Sequence, residues 1–443
     1  MSGRESAGAG GGRKNFYLTF AICWISYAVA YFCRVNLTVS MPYLIDAFGW
    51  DKFTLGLVAG CFFWAYAIGQ LINGIIGDKF RPRFFVGIGM AAAGVANIMI
   101  PFFGKSGIFF FWTLNGFFQS MLWGPIVRTV SSAASGKHKA WLAAAISSSF
   151  VFGSMAAHFF LSRIACAAWQ LAYWAPGIAM AAAAVAWVAI IRNDAQPAPA
   201  SHTQPLSADN GAAPASHAKP PSADNGAAPA SDAKPPVRAS ALSPYSGFFR
   251  FAAQNGLFAV GAICLLHGVI KEAITVWGPM MLSETYAAPY QLVTGYFSVI
   301  PLINFSTLLL SGFVFQKAGG RVKTGLFILF ASAAAISCAI AATLGLGLYA
   351  SLAMLAGVSA SIFAVNIILL AYVPIGYSAE NRVSGVAGFL DFTAYLGAAL
   401  AAPLFGRISG GGWRAVLFAW VGICAAAIFL VRYITSLRID KAA

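Results

Sequence analysis

Residues 34–42 read RVNLTVSMP, and residues 271–279 read KEAITVWGP. Each stretch sets a basic residue, Arg34 or Lys271, inside apolar sequence, with Thr-Val at the same offset and a proline closing the stretch. The second stretch follows the first by 237 residues. A shared pattern at this distance suggests that the chain contains an internal duplication.

Two further matches have nearly the same displacement. GIIGDKFRPR at 74–83 corresponds to GFVFQKAGGR at 312–321, displaced by 238 residues. Three positions, displaced by 244 residues, then match in order: Gly153 with Gly397, Arg163 with Arg407, and Trp169 with Trp413. Three ordered matches indicate a tandem duplication related by a pseudo-two-fold axis.

The composition places most of this duplicated chain in lipid. Of 443 residues, 59% are hydrophobic and 9% charged, whereas about a quarter of residues in soluble domains are charged. Apolar stretches long enough to cross a bilayer, about 20 residues each, occur at 16–33, 53–76, 84–103, 107–127, 140–162, 169–191, 248–281, 291–315, 324–344, 346–373, 383–406 and 413–435. The sequence predicts an all-α membrane protein with twelve transmembrane helices in two pseudo-symmetric six-helix bundles.

A polar segment separates the two halves. Residues 194–243 are rich in Ala, Pro, Ser and Asn, and SADNGAAPAS occurs twice within them. Such a composition cannot bury enough apolar surface to offset chain entropy, so we predict a disordered linker, with a docking site for another protein as the alternative. The expected divisions are an N-terminal segment 1–15, a first bundle 16–192, the linker 193–245, a second bundle 246–436 and a tail 437–443.

The basic residues predict the orientation of the chain. The net charge is +15, but Lys and Arg are scattered among short loops, which argues against a nucleic-acid surface. Cytoplasmic loops of membrane proteins are enriched in Lys and Arg, and this rule places both termini and the linker in the cytoplasm. The seven cysteines lie in apolar stretches without CxxC spacing, so no metal and no cofactor is expected.

Several motifs resemble the major facilitator superfamily, and within it the organophosphate:phosphate antiporters. The loop at 74–83 is typical of the superfamily. The closer likeness rests on Tyr27, Tyr31, Arg34, Leu55, Tyr66, Gln119, the run WGPIVRT at 123–129, Lys271, the run WGP at 277–279, Gly388 and Tyr395. The resemblance implies a monomeric carrier in a bacterial inner membrane. It would exchange an organic phosphate, such as a sugar phosphate or glycerol phosphate, for inorganic phosphate by rocker-switch alternating access.

Four positions depart from the glycerol-3-phosphate transporters of that family. Gln70 stands where their pattern has lysine, Phe150 where it has histidine, and Val35 where it has lysine. Lys271 replaces the usual bacterial arginine, as in intracellular glucose-6-phosphate exchangers. The identity of the organic phosphate therefore stays open.

Arg34 and Lys271 are the strongest candidates for binding an anion. A charge inside the bilayer costs about 2.5 to 3.5 kcal/mol on insertion scales, so a retained cation usually faces a cavity or a partner. The alternative is that each side chain snorkels to the membrane interface. Apolar sequence continues past both residues, and both halves carry a cation at the same repeat position, which favours a shared phosphate site.

Aromatic and polar residues are expected around this pair. Tyr27, Tyr31 and Arg34 are spaced to share one helix face. Tyr66, Gln70, Trp123 and Tyr395 join the site by resemblance, although each could equally serve packing or anchoring at the interface.

Asp391 precedes Tyr395 by one turn and would either balance Lys271, accept hydrogen bonds from substrate hydroxyls, or bond a neighbouring helix. His267 could share the cavity or be packed as a neutral ring. Glu272 should point about 100° away from Lys271 around the helix, and His158 is interpreted as a packing residue.

Asp78, Arg83 and Arg128 are interpreted as a cytoplasmic gate, or as solvated charges that set orientation. The sequence contains no catalytic constellation or nucleotide-binding loop, so an enzyme is not expected. The alternatives to exchange are a hexose-phosphate membrane sensor with little transport, and a proton-coupled organic anion symporter that uses Glu272 or Asp391.

Overall fold

All regular secondary structure in the described part of the chain is helical. A computed structural model describes residues 5–77, 80–133, 139–191, 243–307, 321–345, 347–377, 380 and 382–433. The helices of the first half are α1 (Glu5–Phe48), α2 (Lys52–Gly77), α3 (Pro82–Gln119), α4 (Trp123–Ala133), α5 (Lys139–Ala167) and α6 (Leu171–Ile190). Those of the second half are α7 (Ser243–Gln254), α8 (Leu257–Tyr286), α9 (Tyr290–Phe297), α10 (Val322–Thr343), α11 (Leu348–Ile367), α12 (Val383–Ile408) and α13 (Trp413–Tyr433). A π-helical turn, Ile368–Tyr372, and the turn Val373–Ile375 extend α11.

The described helices include ten that are long and apolar enough to cross a membrane. This number agrees with the twelve predicted spans for two reasons. The third and fourth spans form one continuous stretch, Pro82–Val130, which bends at Gly104 with φ of 58°. The span predicted at 291–315 is described as α9 and a helical stretch over 300–307, and residues 308–320 lie outside the described part. A helix pairs its own backbone N–H and C=O groups, and this is needed in a membrane because lipid offers these groups no hydrogen-bond partners.

The two halves repeat the same helix crossing at equivalent residues. A Cβ on Gly153 of α5 would lie under 3.0 Å from the carbonyl oxygen of Ala28 on α1, and a Cβ on Gly397 of α12 would lie equally close to that of Leu265 on α8. Ala28 and Leu265 are 237 residues apart, and Gly153 and Gly397 are 244 apart. The α1–α5 crossing of the first half is therefore repeated as the α8–α12 crossing of the second half, as an internal duplication predicts.

The halves meet mainly where α2 packs on α12 and α5 on α9. Gly56 and Gly60 of α2 let its backbone approach that of Ala402 and Ala399 on α12, so closely that no side chain would fit between them. At the α1–α2 end of this interface, Lys52 of the first half pairs with Glu284 of the second, Nζ to Oε2 at 2.5 Å. Beside it, Asp51 Oδ1 accepts the Thr54 N–H at 2.9 Å and caps α2, and hydrogen bonds from Thr54 lower the pKa of Asp51.

Several predicted boundaries shift. Helix α1 begins at Glu5 rather than at residue 16, and α7 begins at Ser243, inside the predicted linker. The span predicted at 248–281 is two helices, α7 and α8. They are separated at Gly256, which adopts a left-handed backbone conformation with φ of 67°. The linker from 193 to 242 and the tail 437–443 lie outside the described residues.

Candidate functional site

A cavity of about 130 Å³ lies between the two halves. Its wall takes residues from α1, α2, α3 and α5 of the first half and from α8, α9, the helical stretch after α9, α11 and α12 of the second. Arg34, Tyr31, Lys271 and Tyr395 all line it. The two cations predicted from the repeat therefore reach one cavity, one from each half.

Arg34 lies against aromatic faces. Its guanidinium carbon is 4.5 Å from the centroid of the Tyr66 ring, 5.2 Å from that of Tyr31 and 5.4 Å from that of Phe62. Its Nη1 donates to the Tyr31 hydroxyl at 3.3 Å, and its buried Nε donor has no hydrogen-bond partner among the described residues. A guanidinium offers five N–H donors, so this one retains capacity for a bound anion.

A pair of tyrosines, one from each half, connects the two cations. The rings of Tyr66 on α2 and Tyr395 on α12 are 4.7 Å apart. Arg34 covers the first ring, and Lys271 Nζ lies 5.9 Å from the centroid of the second. The negative face of an aromatic ring attracts a cation, so the pair holds both charges near the interface.

Tyr27 and Trp123 form a layer behind the cavity wall. The Tyr27 ring lies 4.5 Å from that of Trp123 and 5.6 Å from that of Tyr31, and both Tyr27 and Trp123 are buried. The predicted face of Tyr27, Tyr31 and Arg34 is thus present, with Tyr31 and Arg34 on the wall and Tyr27 supporting them.

Six of the ten predicted residues lie outside the cavity lining: Tyr27, Tyr66, Gln70, Trp123, His267 and Asp391. The first, second and fourth of these pack behind the wall as described above, whereas the other three are placed differently. On α8 and α12 the reason is the close crossing at Gly268, whose Cα lies against the backbone of Ala394. His267, fully buried, and Asp391, partly buried, are beside this crossing, where the backbones leave no room for a cavity. Gln70 is partly buried one turn beyond Tyr66.

Two residues that the sequence analysis assigned elsewhere line the cavity: Glu272 and His158. The cavity covers a wide arc of α8, from Lys271 to Val276, so a separation of about 100° does not remove Glu272 from it. His158 is buried, as expected of a packing residue, but it also faces the cavity. A polar residue in an apolar span was the available signal for both.

The proposed gate is described only in part. Arg128 on α4 donates from Nη2 to the carbonyl oxygens of Gly77 at 3.0 Å and Phe80 at 3.2 Å. It thereby ties α4 to the α2–α3 connection. Arg83 lies over the Phe84 ring at 5.5 Å, and Asp78 lies outside the described residues. Among the described residues, no group of three or more His, Cys, Asp or Glu side chains could hold a metal ion.

Residues 23–392 match the family model described as Major Facilitator Superfamily. The chain belongs to this superfamily. Among solved structures, a similar fold is seen in a mutant of the nucleoside transporter NupG, with a TM-score of 0.73 at 13% identity, covering 95% of this chain and 100% of that one. A bacterial homologue of the lysosomal transporter Spinster has a TM-score of 0.69 at 12% identity, with 96% of each chain covered. At these identities the likeness establishes the fold alone.

Within the superfamily, the curated relatives match over shorter segments. A probable hexose phosphate transport protein of Chlamydia pneumoniae is 32% identical over 170 residues, 37% of this chain and 36% of that protein. The membrane sensor protein UhpC of Escherichia coli is 33% identical over 113 residues, 25% of this chain and 24% of that protein. A glycerol-3-phosphate transporter of Bacillus subtilis is 34% identical over 113 residues, 24% of this chain and 25% of that protein. The matches thus span about a quarter to a third of each relative.

Proposed function

We propose that this protein exchanges an organic phosphate for inorganic phosphate by alternating access. The observation that carries the proposal is the meeting of Arg34 and Lys271, from repeat-related positions, at one cavity between the halves. Similarity to relatives named for hexose phosphate and glycerol-3-phosphate transport supports the same class of substrate.

A phosphate dianion suits this pair of cations. Arginine can bind two phosphate oxygens through its planar fork, and lysine acts as a mobile point charge. The unpartnered Nε of Arg34 is a buried donor, and leaving such a group unsatisfied is costly. A bound phosphate would satisfy this donor and neutralise the charge of both side chains.

The same charges favour exchange over one-way transport. Closing the carrier without an anion would leave the Arg34 Nε donor, which has no hydrogen-bond partner among the described residues, shut away from water. The empty protein should therefore reorient slowly, and the loaded one quickly. Because α2–α12 and α5–α9 form the main interface, the two halves would rock about these contacts.

Counterflow in proteoliposomes tests the proposal. Vesicles containing the purified protein are loaded with labelled phosphate, and efflux is followed with and without external phosphate or an organic phosphate. Exchange predicts fast efflux only when an external phosphate compound is present. Equal efflux in its absence would overturn the proposal, and little flux under all conditions would favour a sensor, as the relative UhpC is named.

The position of Glu272 favours one second candidate, proton-coupled symport of an organic anion. A carboxyl group on the cavity wall beside Lys271 could carry a proton with the anion. Symport would be driven by an imposed pH gradient and abolished by a protonophore, whereas counterflow of phosphate at equal pH on both sides would be insensitive to it.

The proposed setting is a bacterial inner membrane, with the protein as a monomer and both termini in the cytoplasm. The excess of Lys and Arg in the loops on one side supports this orientation. On this assignment, the Lys52–Glu284 pair lies at the periplasmic end.

A further inference from the structure

We infer that His158 of α5 binds a hydroxyl group of the organic phosphate and so helps to distinguish it from inorganic phosphate. This inference rests on the proposed function, because it assigns a further ligand-binding residue to the same cavity. His158 lies about two helical turns after Phe150. Phe150, and not His158, is the position at which the glycerol-3-phosphate pattern has its histidine.

The hydrogen bond of His158 fixes which ring nitrogen is available. Nδ1 lies 2.9 Å from the Ser154 carbonyl oxygen. A carbonyl oxygen can only accept, so Nδ1 carries the proton and donates it. In a neutral imidazole the other nitrogen is then an acceptor. Nε2 is buried and has no hydrogen-bond partner among the described residues.

This acceptor belongs to a residue of the cavity wall. His158 is 1% exposed, and it lines the same cavity as Arg34. Val35, next to Arg34, packs in one small cluster with Ala157, next to His158. Arg34 and His158 therefore lie at a similar depth on neighbouring helices, so one ligand can meet both.

The internal repeat does not share this histidine. The equivalent of His158 in the second half is Ala402, displaced by 244 residues. There the small side chain lets Gly56 of α2 pack directly against the α12 backbone. On α5 the imidazole lies instead against the Phe297 ring of α9, at 5.6 Å. The first half thus places an acceptor where the second half places a tight contact.

The chemistry of the ligand follows from these facts. Arg34 and Lys271 provide donors and positive charge for the phosphoryl group, and Nε2 provides a neutral acceptor for a donor such as a hydroxyl. A phosphate ester that carries a carbon-bound hydroxyl supplies both features. The phosphoryl hydroxyl of hydrogen phosphate is the other possible source, and the test below separates the two.

Two amide variants distinguish the ring nitrogens. Asparagine can place its amide near the Nδ1 position, so His158→Asn keeps the donor to Ser154 and deletes the acceptor. Glutamine extends further, so His158→Gln retains a polar group near Nε2. Thermal unfolding of both purified variants controls for folding.

The measurement is the dissociation constant of the purified protein for inorganic phosphate, methyl phosphate, glycerol 3-phosphate and glucose 6-phosphate, by calorimetry. For His158→Asn we expect the two hydroxyl-bearing esters to weaken by about three-fold to ten-fold, the worth of one neutral hydrogen bond. Inorganic phosphate and methyl phosphate should keep their affinity, and His158→Gln should recover part of the loss.

Other outcomes overturn the inference in distinguishable ways. Equal weakening of all four ligands, or none, would remove the specificity role while leaving phosphate binding intact. Weakening of inorganic phosphate alone would assign Nε2 to the phosphoryl hydroxyl and also contradict the inference. If the wild-type protein binds none of the four compounds, the proposed function itself fails, and the inference with it.

Discussion

Tyr66 and Tyr395 touch across the boundary between the two halves, with ring centroids 4.7 Å apart. Each ring also faces the cation of its own half, Arg34 in the first and Lys271 in the second. The pair therefore couples the contact between the halves to the positions of the two charges. A relative movement of the halves that separates these rings would change the environment of both cations together.

The first prediction concerns the ring of Tyr66. Tyr66→Phe should retain phosphate affinity, because the ring face that holds Arg34 remains. Tyr66→Leu should weaken it by about two-fold to thirty-fold, in line with the roughly 0.5 to 2 kcal/mol of a cation–π contact. Calorimetric titration with inorganic phosphate measures both. Equal losses in the two variants would show that the hydroxyl, and not the ring, carries the effect.

The second prediction tests the repeated helix crossing. Gly153→Ala and Gly397→Ala should destabilise the protein by similar amounts, about 1 to 3 kcal/mol each, since both force apart closely packed backbones. Gly422→Ala is the matched control, because a Cβ there meets nothing within 4 Å. The midpoints of thermal unfolding provide the comparison. If either crossing variant unfolded at the same midpoint temperature as the wild type, the two crossings would not be equivalent.

The third prediction concerns the contact between the halves at Lys52. Glu284 Oε2 accepts from Lys52 at 2.5 Å and from Trp413 Nε1 at 2.8 Å, and Lys52 Nζ lies 4.8 Å from the Trp413 ring. Lys52→Ala should speed amide hydrogen exchange at the end of α8 by about two-fold to five-fold, as a partly exposed ion pair contributes about 0.2 to 1 kcal/mol. Lys105→Ala is the control, because Lys105 is an exposed lysine. Unchanged exchange in Lys52→Ala would mean that the pair does not hold this end closed.

The fourth prediction separates Asp391 from His158. Asp391 lies outside the cavity lining, so Asp391→Asn should shift the affinities for inorganic phosphate, glycerol 3-phosphate and glucose 6-phosphate by the same factor. Competition against labelled phosphate uptake gives the three values. A selective loss of the hydroxyl-bearing esters would assign hydroxyl recognition to Asp391 after all.

The composition and the repeat predicted the helical membrane fold, and the repeat also predicted that Arg34 and Lys271 would lie at one cavity. Hydropathy and length identify membrane helices because lipid imposes a simple requirement on the backbone. The cations at 34 and 271 could be related because the duplication preserved their spacing. The positions of Gln70, Asp391 and Glu272 could not be predicted in this way, since they depend on how closely neighbouring helices cross. Gly268 decides that distance on α8, and nothing in the local pattern of α12 indicates it.

The most direct test of the account is phosphate counterflow in proteoliposomes containing Arg34→Gln or Lys271→Gln. Each variant should lose at least about a hundred-fold in exchange rate, because removing one of two cavity-lining charges that share a desolvated ligand costs about 3 to 5 kcal/mol. Lys271→Arg should keep part of the activity, and Lys105→Gln should match the wild type. Near-normal exchange in either single glutamine variant, at equal protein incorporation, would contradict the claim that the two cations jointly hold the transported phosphate.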